Sequence, residues 1–157
     1  MSICPYMAGR LTNIGNLVIH WIETTPEDKR DWLPPVPGSA MTRTVYDMLA
    51  ELIQVNELVL AGLNGTPAPE GHPMQAVRQF TTGDEGIARF RSSLDQLVQR
   101  WLAYDDNELG RTIAFGSRTF AAADLLEIPY RNLCYHGGQI NLIQLLAGDA
   151  EMHRPKS

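Results

Sequence analysis

Apolar residues recur at helical spacing in four separate stretches of this chain. Steps of three and four residues place these positions on one face of a helix, and that face must be buried. The predicted helices span about 4–24, 42–63, 82–104 and 121–146. Four long amphipathic helices predict an all-α fold, a four-helix bundle that forms a single domain over residues 1–157.

Local signals mark where these helices begin and end. Thr25 followed by Pro26 and two acidic residues predicts a short helical turn, with Thr25 as its N-cap. Thr82 and Glu85 fit a capping box, in which Glu85 reaches back to the N-cap amide. Gly65 is suited to ending the second helix, whereas a proline inside the fourth marks either a kink or the true start of that helix.

The second and third connections between the helices are long enough for crossover topology. A Pro- and Gly-containing segment, 64–80, links the second and third helices, with a helical turn expected at 74–78. A short hairpin is predicted before the last helix, over 110–120. Residues 149–157 are predicted to form a polar, frayed tail.

Composition excludes several classes of protein. The net charge of -5 argues against a general nucleic-acid or anionic-membrane binder, and no uninterrupted apolar run reaches the length of a membrane span. The N-terminus lacks the regions of a signal peptide. The two cysteines, Cys4 and Cys134, form no disulfide framework, so we expect a protein of the reducing cytoplasm.

Candidate chemistry is concentrated in the fourth predicted helix. His136 lies three residues after Leu133 and four before Ile140, so it points inward with the core. Asn132 occupies the same face one turn earlier, and Gln139 lies on its flank. Buried polar groups are costly unless they are hydrogen-bonded or bind something, so these side chains form either a hydrogen-bonded network or a binding site.

The second helix carries two polar residues at comparable positions. Asn56 falls within the apolar stripe and predicts either a polar network in the core or a residue that sets the helix register. Glu51 lies at the edge of the stripe, where a solvated carboxylate is the ordinary interpretation, although its side chain can also reach the interior. Cys134 faces away from His136 and is interpreted as an inert buried thiol.

The remaining histidines are weaker candidates for a site. His20, near the core edge of the first helix, is able to approach the pocket as a replacement ligand. His72 and His153 lie in a predicted loop and in the tail, without helical ligand spacing.

The sequence TVYDMLAEL at 44–52 resembles the second helix of the DinB/YfiT-like superfamily, and DWLP at 31–34 is also similar. Members of that superfamily are four-helix bundles, often dimeric, and many bind a divalent metal through three histidines. One histidine comes from the second helix and two from the fourth, four residues apart, with the second followed by x-Gly-Gln. The sequence HGGQI at 136–140 matches this last element.

The resemblance implies a metal site formed by Glu51, Asn132 and His136, with Glu51 and Asn132 standing where the family has histidine. Such a set would bind zinc, nickel, manganese or iron more weakly than three imidazoles and would favour the harder ions. Three hypotheses follow. The first is a metal-dependent enzyme of the thiol-dependent transferase or hydrolase type. The second is a protein that has lost the metal site and binds a small-molecule ligand or a partner without catalysis. The third is a structural homodimer.

Overall fold

A computed structural model describes residues 2–35, 43–67, 78–115 and 117–154. The chain is mostly helical, which confirms the predicted all-α class. Its elements are α1 (Ile3–Thr24), α2 (Glu27–Arg30), α3 (Val45–Asn64), α4 (Gly83–Ala103), a 3₁₀ turn (Asp106–Glu108), β1 (Thr112–Phe115), β2 (Arg118–Ala121) and α5 (Ala122–Leu146).

The four long helices pack around a common core in a crossed order. Helix α1 packs mainly against α4 and α5, and α3 packs against the same two helices. Helices α1 and α3, which are consecutive long helices, therefore lie diagonally opposite each other. Helices that follow each other along the chain are therefore not all neighbours in space.

Helices α3 and α4 run parallel to each other. Asn56 of α3 bonds to Ser93 of α4, and near their C-terminal ends Arg100 of α4 bonds to the Leu63 carbonyl and to the side chain of Asn64. Parallel neighbours cannot be joined by a tight turn, because the chain must return along the full length of the pair. The long connection between α3 and α4 therefore follows from their parallel packing.

Side-chain caps define the starts of α3 and α4. Thr44 accepts from the Asp47 amide while Asp47 accepts from the Thr44 amide, a capping box that the sequence analysis did not identify. Burial raises the pKa of Asp47, but hydrogen bonds from Thr44 and Arg78 outweigh it and leave that pKa below its usual value. At α4 the predicted Thr82 cap is confirmed, since Thr82 accepts from the Glu85 amide.

Two details differ from the predicted caps. The Glu85 carboxylate accepts mainly from the amide of Thr81, one residue before the N-cap, and the contribution of the Thr82 amide expected for the capping box is smaller. The N-cap of α2 is Pro26 and not Thr25, and no side chain caps this helix. The Thr25 hydroxyl donates to the Trp21 carbonyl at the end of α1.

The core consists of aliphatic and aromatic side chains from all four long helices. Phe90, Leu97, Leu133 and Ile140 are completely buried. Asn56, only 1% exposed, donates to the Ser93 hydroxyl at 3.0 Å, which confirms the predicted polar contact in the core.

The predicted hairpin is present as β1 and β2, which pair antiparallel with Thr112 opposite Ala121. Two strands are marginal alone, so the hairpin depends on its packing against the helices. A Cβ at Gly62 of α3 would lie 2.4 Å from the Phe115 ring, so only glycine permits this close approach. Phe115 also meets Phe120 edge-to-face with ring centroids 5.7 Å apart.

The C-terminal segment, as far as the structure describes it, differs from the predicted frayed tail. The Trp21 indole donates to the His153 carbonyl at 3.0 Å, and His153 bonds to Asp149. The helical turn predicted at 74–78 falls almost entirely outside the described residues. No helix in the described ranges is long and apolar enough to cross a membrane.

Candidate functional site

The antiparallel packing of α3 and α5 brings Glu51 and His136 together in the interior. His136 is fully buried and Glu51 is 7% exposed, and His136 Nε2 lies 3.2 Å from Glu51 Oε1. The inward orientation predicted for His136 is confirmed. The interpretation of Glu51 as a solvated carboxylate is wrong, because α5 covers the edge of α3 where this side chain lies.

Gln139 determines which nitrogen of His136 carries the proton. The Gln139 carbonyl oxygen Oε1 lies 2.7 Å from Nδ1, and this oxygen can only accept, so Nδ1 donates. In a neutral ring Nε2 then presents a lone pair. Among the described residues Nε2 has no hydrogen-bond partner, because the nearby Glu51 oxygen is an acceptor as well.

His136 is neutral near pH 7. Burial is the largest influence on its pKa and lowers it from 6.5 to about 4, against the opposing hydrogen bond to Gln139 and with a smaller lowering contribution from Arg43. His136 Nε2, with its lone pair, and Glu51 Oε1 therefore face each other, and both atoms can only accept hydrogen bonds. Such an arrangement is stabilised by a cation or a proton between them.

Arg43 occupies the other side of the carboxylate. It lies just before the N-cap of α3, and its guanidinium forms an ion pair with Glu51 Oε2. The Arg43 side chain is 24% exposed and that of Glu51 is 10% exposed, so the pair lies between the interior and solvent. Arg43 was not identified as a site residue because it lies eight residues from Glu51, before the helix begins.

Asn132 is less closely associated with this pair. It is half-buried on α5, one turn before His136, and its Nδ2 is buried without a hydrogen-bond partner. In the described part of the chain its side chain makes no hydrogen bond to Glu51 or His136. Within the same part, no third histidine, cysteine or acidic residue joins the pair, and His20 does not approach it. His72 lies outside the described residues.

Glu51 and His136 fit one requirement of a shared metal ion. Two atoms that ligate the same first-row divalent ion lie roughly 3–3.5 Å apart, and the observed separation is 3.2 Å. The bond from Nδ1 to Gln139 is the outer hydrogen bond that a metal-binding histidine usually makes. The positive charge of Arg43 opposes binding, so the residues present fit a weak cation site.

No family model matches this chain, and no curated protein matches it either. The function must therefore be inferred from the geometry around His136 and from the short motif that contains it.

The structure also brings together a second set of possible ligands, which the sequence analysis missed. Ligand atoms of Asp149, Glu151 and His153 all lie within 4.8 Å of one another, so this group could hold a metal ion. His153 Nε2 lies 2.7 Å from Asp149 Oδ2, and this hydrogen bond keeps the pKa of Asp149 below its usual value. In the sequence, the alternating Asp-x-Glu-x-His spacing is the signal that could have identified this group.

This C-terminal group borders an open groove of about 390 Å³ between α1 and α5, lined in part by Trp21 and Leu145.

The prediction for Cys134 is wrong, because this residue is exposed and not buried. It lies on the side of α5 that faces away from the core.

Proposed function

We propose that this protein is a DinB-like four-helix bundle that binds a divalent metal ion between Glu51 and His136, with Asn132 as a weaker third ligand. One observation carries the proposal: the fully buried His136 ring has its Nδ1 bonded to Gln139 and directs an unpartnered Nε2 toward the Glu51 carboxylate. A histidine that served packing alone would gain more from a hydrogen-bond donor at that position.

The ligand types favour particular ions and a class of reaction. A carboxylate and an amide oxygen beside one imidazole suit manganese or iron better than softer ions, with zinc and nickel as further candidates. A metal bound there would lower the pKa of a bound thiol or water, the chemistry of a thiol-dependent transferase or hydrolase. In this proposal Gln139 fixes the tautomer of His136, and burial of the pair keeps the imidazole unprotonated and able to ligate.

Metal binding that depends on His136 is the first test. Protein prepared without a histidine tag is titrated with Mn²⁺ and Zn²⁺ by calorimetry, in an Asp149→Asn/His153→Gln background that removes the C-terminal group. We expect one ion per chain, and an affinity lower by at least about tenfold in His136→Gln and in Glu51→Gln, because each change removes one ligand.

His20→Gln is the matched control, because this histidine is half-buried on α1 and away from the pair. It should bind metal as the parent protein does. Circular dichroism establishes that each variant is folded. Absence of binding in the parent protein, or equal affinity in the His136→Gln variant, would contradict the proposal.

The alternative, a dimeric interaction protein, is favoured by the outward face of α5. Tyr135, Leu142, Leu145 and Leu146 are 64%, 43%, 56% and 43% exposed and lie on one side of the helix around Gly138. A continuous apolar face of this kind is typical of an interaction surface, and a second copy of the chain is the partner we propose. Dimerisation is compatible with metal binding and also stands without it.

Replacing Leu142 with glutamate should convert the proposed dimer to a monomer, because the change places a charge in the centre of the apolar face. Sedimentation velocity measures the association state across a range of protein concentrations. Leu102→Glu is the control, since Leu102 is 50% exposed on α4 and away from this face. Wild-type protein that stays monomeric throughout would exclude the dimer.

A further inference from the structure

Arg43 and the proposed metal share one carboxylate. The guanidinium pairs with Glu51 Oε2, while Oε1 faces His136 Nε2 at 3.2 Å. Arginine stays protonated at any pH relevant to a protein, so this positive charge is permanent. Within the described contacts, the charge of Arg43 offsets that of the Glu51 carboxylate before an ion enters.

An incoming divalent ion would therefore meet an electrostatic cost at this site. The ion and the guanidinium would both contact the same carboxylate, and their repulsion is weakly screened because Glu51 is largely buried. Without an ion, Arg43 has the opposite effect: it keeps the buried carboxylate paired, and an unpaired carboxylate there would be strongly destabilising.

We propose that Arg43 is an internal competitor for Glu51 that sets the affinity of this site for divalent cations. The inference rests on the proposed function, because it concerns the same pair of ligands. Arg43 stabilises the metal-free protein and weakens binding of the metal. The protein consequently folds without metal and takes up an ion only at concentrations high enough to overcome the Arg43 charge.

The test compares Arg43→Gln with the parent protein by calorimetric titration with Mn²⁺ and Zn²⁺, again in the Asp149→Asn/His153→Gln background. We expect the affinity to rise by about ten- to a hundredfold, comparable in size to other effects of residues next to metal ligands. Thermal denaturation provides a second measurement: the metal-free variant should melt at a lower temperature than the parent, and added metal should raise its melting temperature by more.

Arg118→Gln is the control, because Arg118 is exposed on β2 and its replacement changes the net charge equally. This variant should leave the affinity unchanged. If Arg43→Gln does not fold alone, the same titration is followed by circular dichroism, and metal should restore the helical signal in a manner that His136→Gln abolishes.

The outcomes separate this inference from the proposed function. Parent protein that binds metal through His136, with affinity unchanged or lower in Arg43→Gln, overturns the role of Arg43 and leaves the metal site standing. Binding that is absent in the parent but present and His136-dependent in Arg43→Gln supports the role of Arg43 and overturns metal binding by the natural chain. If neither the parent nor Arg43→Gln binds metal, both the metal site and the role of Arg43 are overturned. The same holds if Arg43→Gln does not fold alone and metal does not restore its helical signal.

Discussion

Replacing Leu97 with alanine is expected to lower the free energy of unfolding by about 2–5 kcal/mol. Leu97 is completely buried on the inner face of α4, so the change removes buried apolar contacts and leaves a cavity among close-packed helices. A loss of this size is a large part of the total stability of a domain. Urea denaturation followed by circular dichroism measures it directly.

Leu102→Ala is the matched control on the same helix. Leu102 is 50% exposed, so the same substitution removes fewer contacts and should cost about 1 kcal/mol or less. The difference between the two variants reports burial alone, because residue type, helix and substitution are shared. Equal losses at both positions would contradict the packing of α4 described above.

Acidification should destabilise the protein through His136. Its pKa is about 4 in the folded protein, against 6.5 for an exposed histidine, so between these values the unfolded chain binds a proton that the folded chain does not. Stability contributed by the neutral ring is therefore present above about pH 6.5 and is lost as the pH falls toward 4. The full difference corresponds to about 3 kcal/mol.

Several neighbouring groups act on this titration. Burial and the Arg43 charge oppose protonation, whereas the Glu51 carboxylate and the bond from Nδ1 to Gln139 favour it.

The test uses chelator-treated protein, since a bound metal would also hold the ring unprotonated. Chemical denaturation at a series of pH values measures the loss, and His136→Gln should remove most of the dependence between pH 6.5 and 4. An imidazole pKa above 6.5 by NMR would show instead that Glu51 outweighs burial.

Much of the helical architecture was predictable because it depends on local patterns. The long helices are found within a few residues of their predicted bounds, and Thr82 caps α4 as expected. His136 points inward because the apolar residues on either side of it define the buried face. Asn56 lies within the apolar stripe of α3, so it also points into the core, where it contacts Ser93.

The failed predictions concern positions where two distant segments meet. Glu51 is at the edge of its helical stripe, and whether such an edge is solvated depends on how close α5 packs to it. Cys134 was expected to be buried, but it lies on a side of α5 that none of the described elements covers. The segment after α5 contacts Trp21, a residue more than a hundred positions earlier in the chain, which no local pattern indicates.

The sequence by itself determines four amphipathic helices, a hairpin before the last one, and a histidine that interrupts an apolar face. These features arise from spacing within a single element, where each side chain direction follows from helical geometry. Only the tertiary structure decides that His136 faces Glu51, that Arg43 pairs with the same carboxylate, and that Asp149, Glu151 and His153 converge. Those contacts depend on how the helices cross and where the connections lead, and periodicity within one helix carries no information about either.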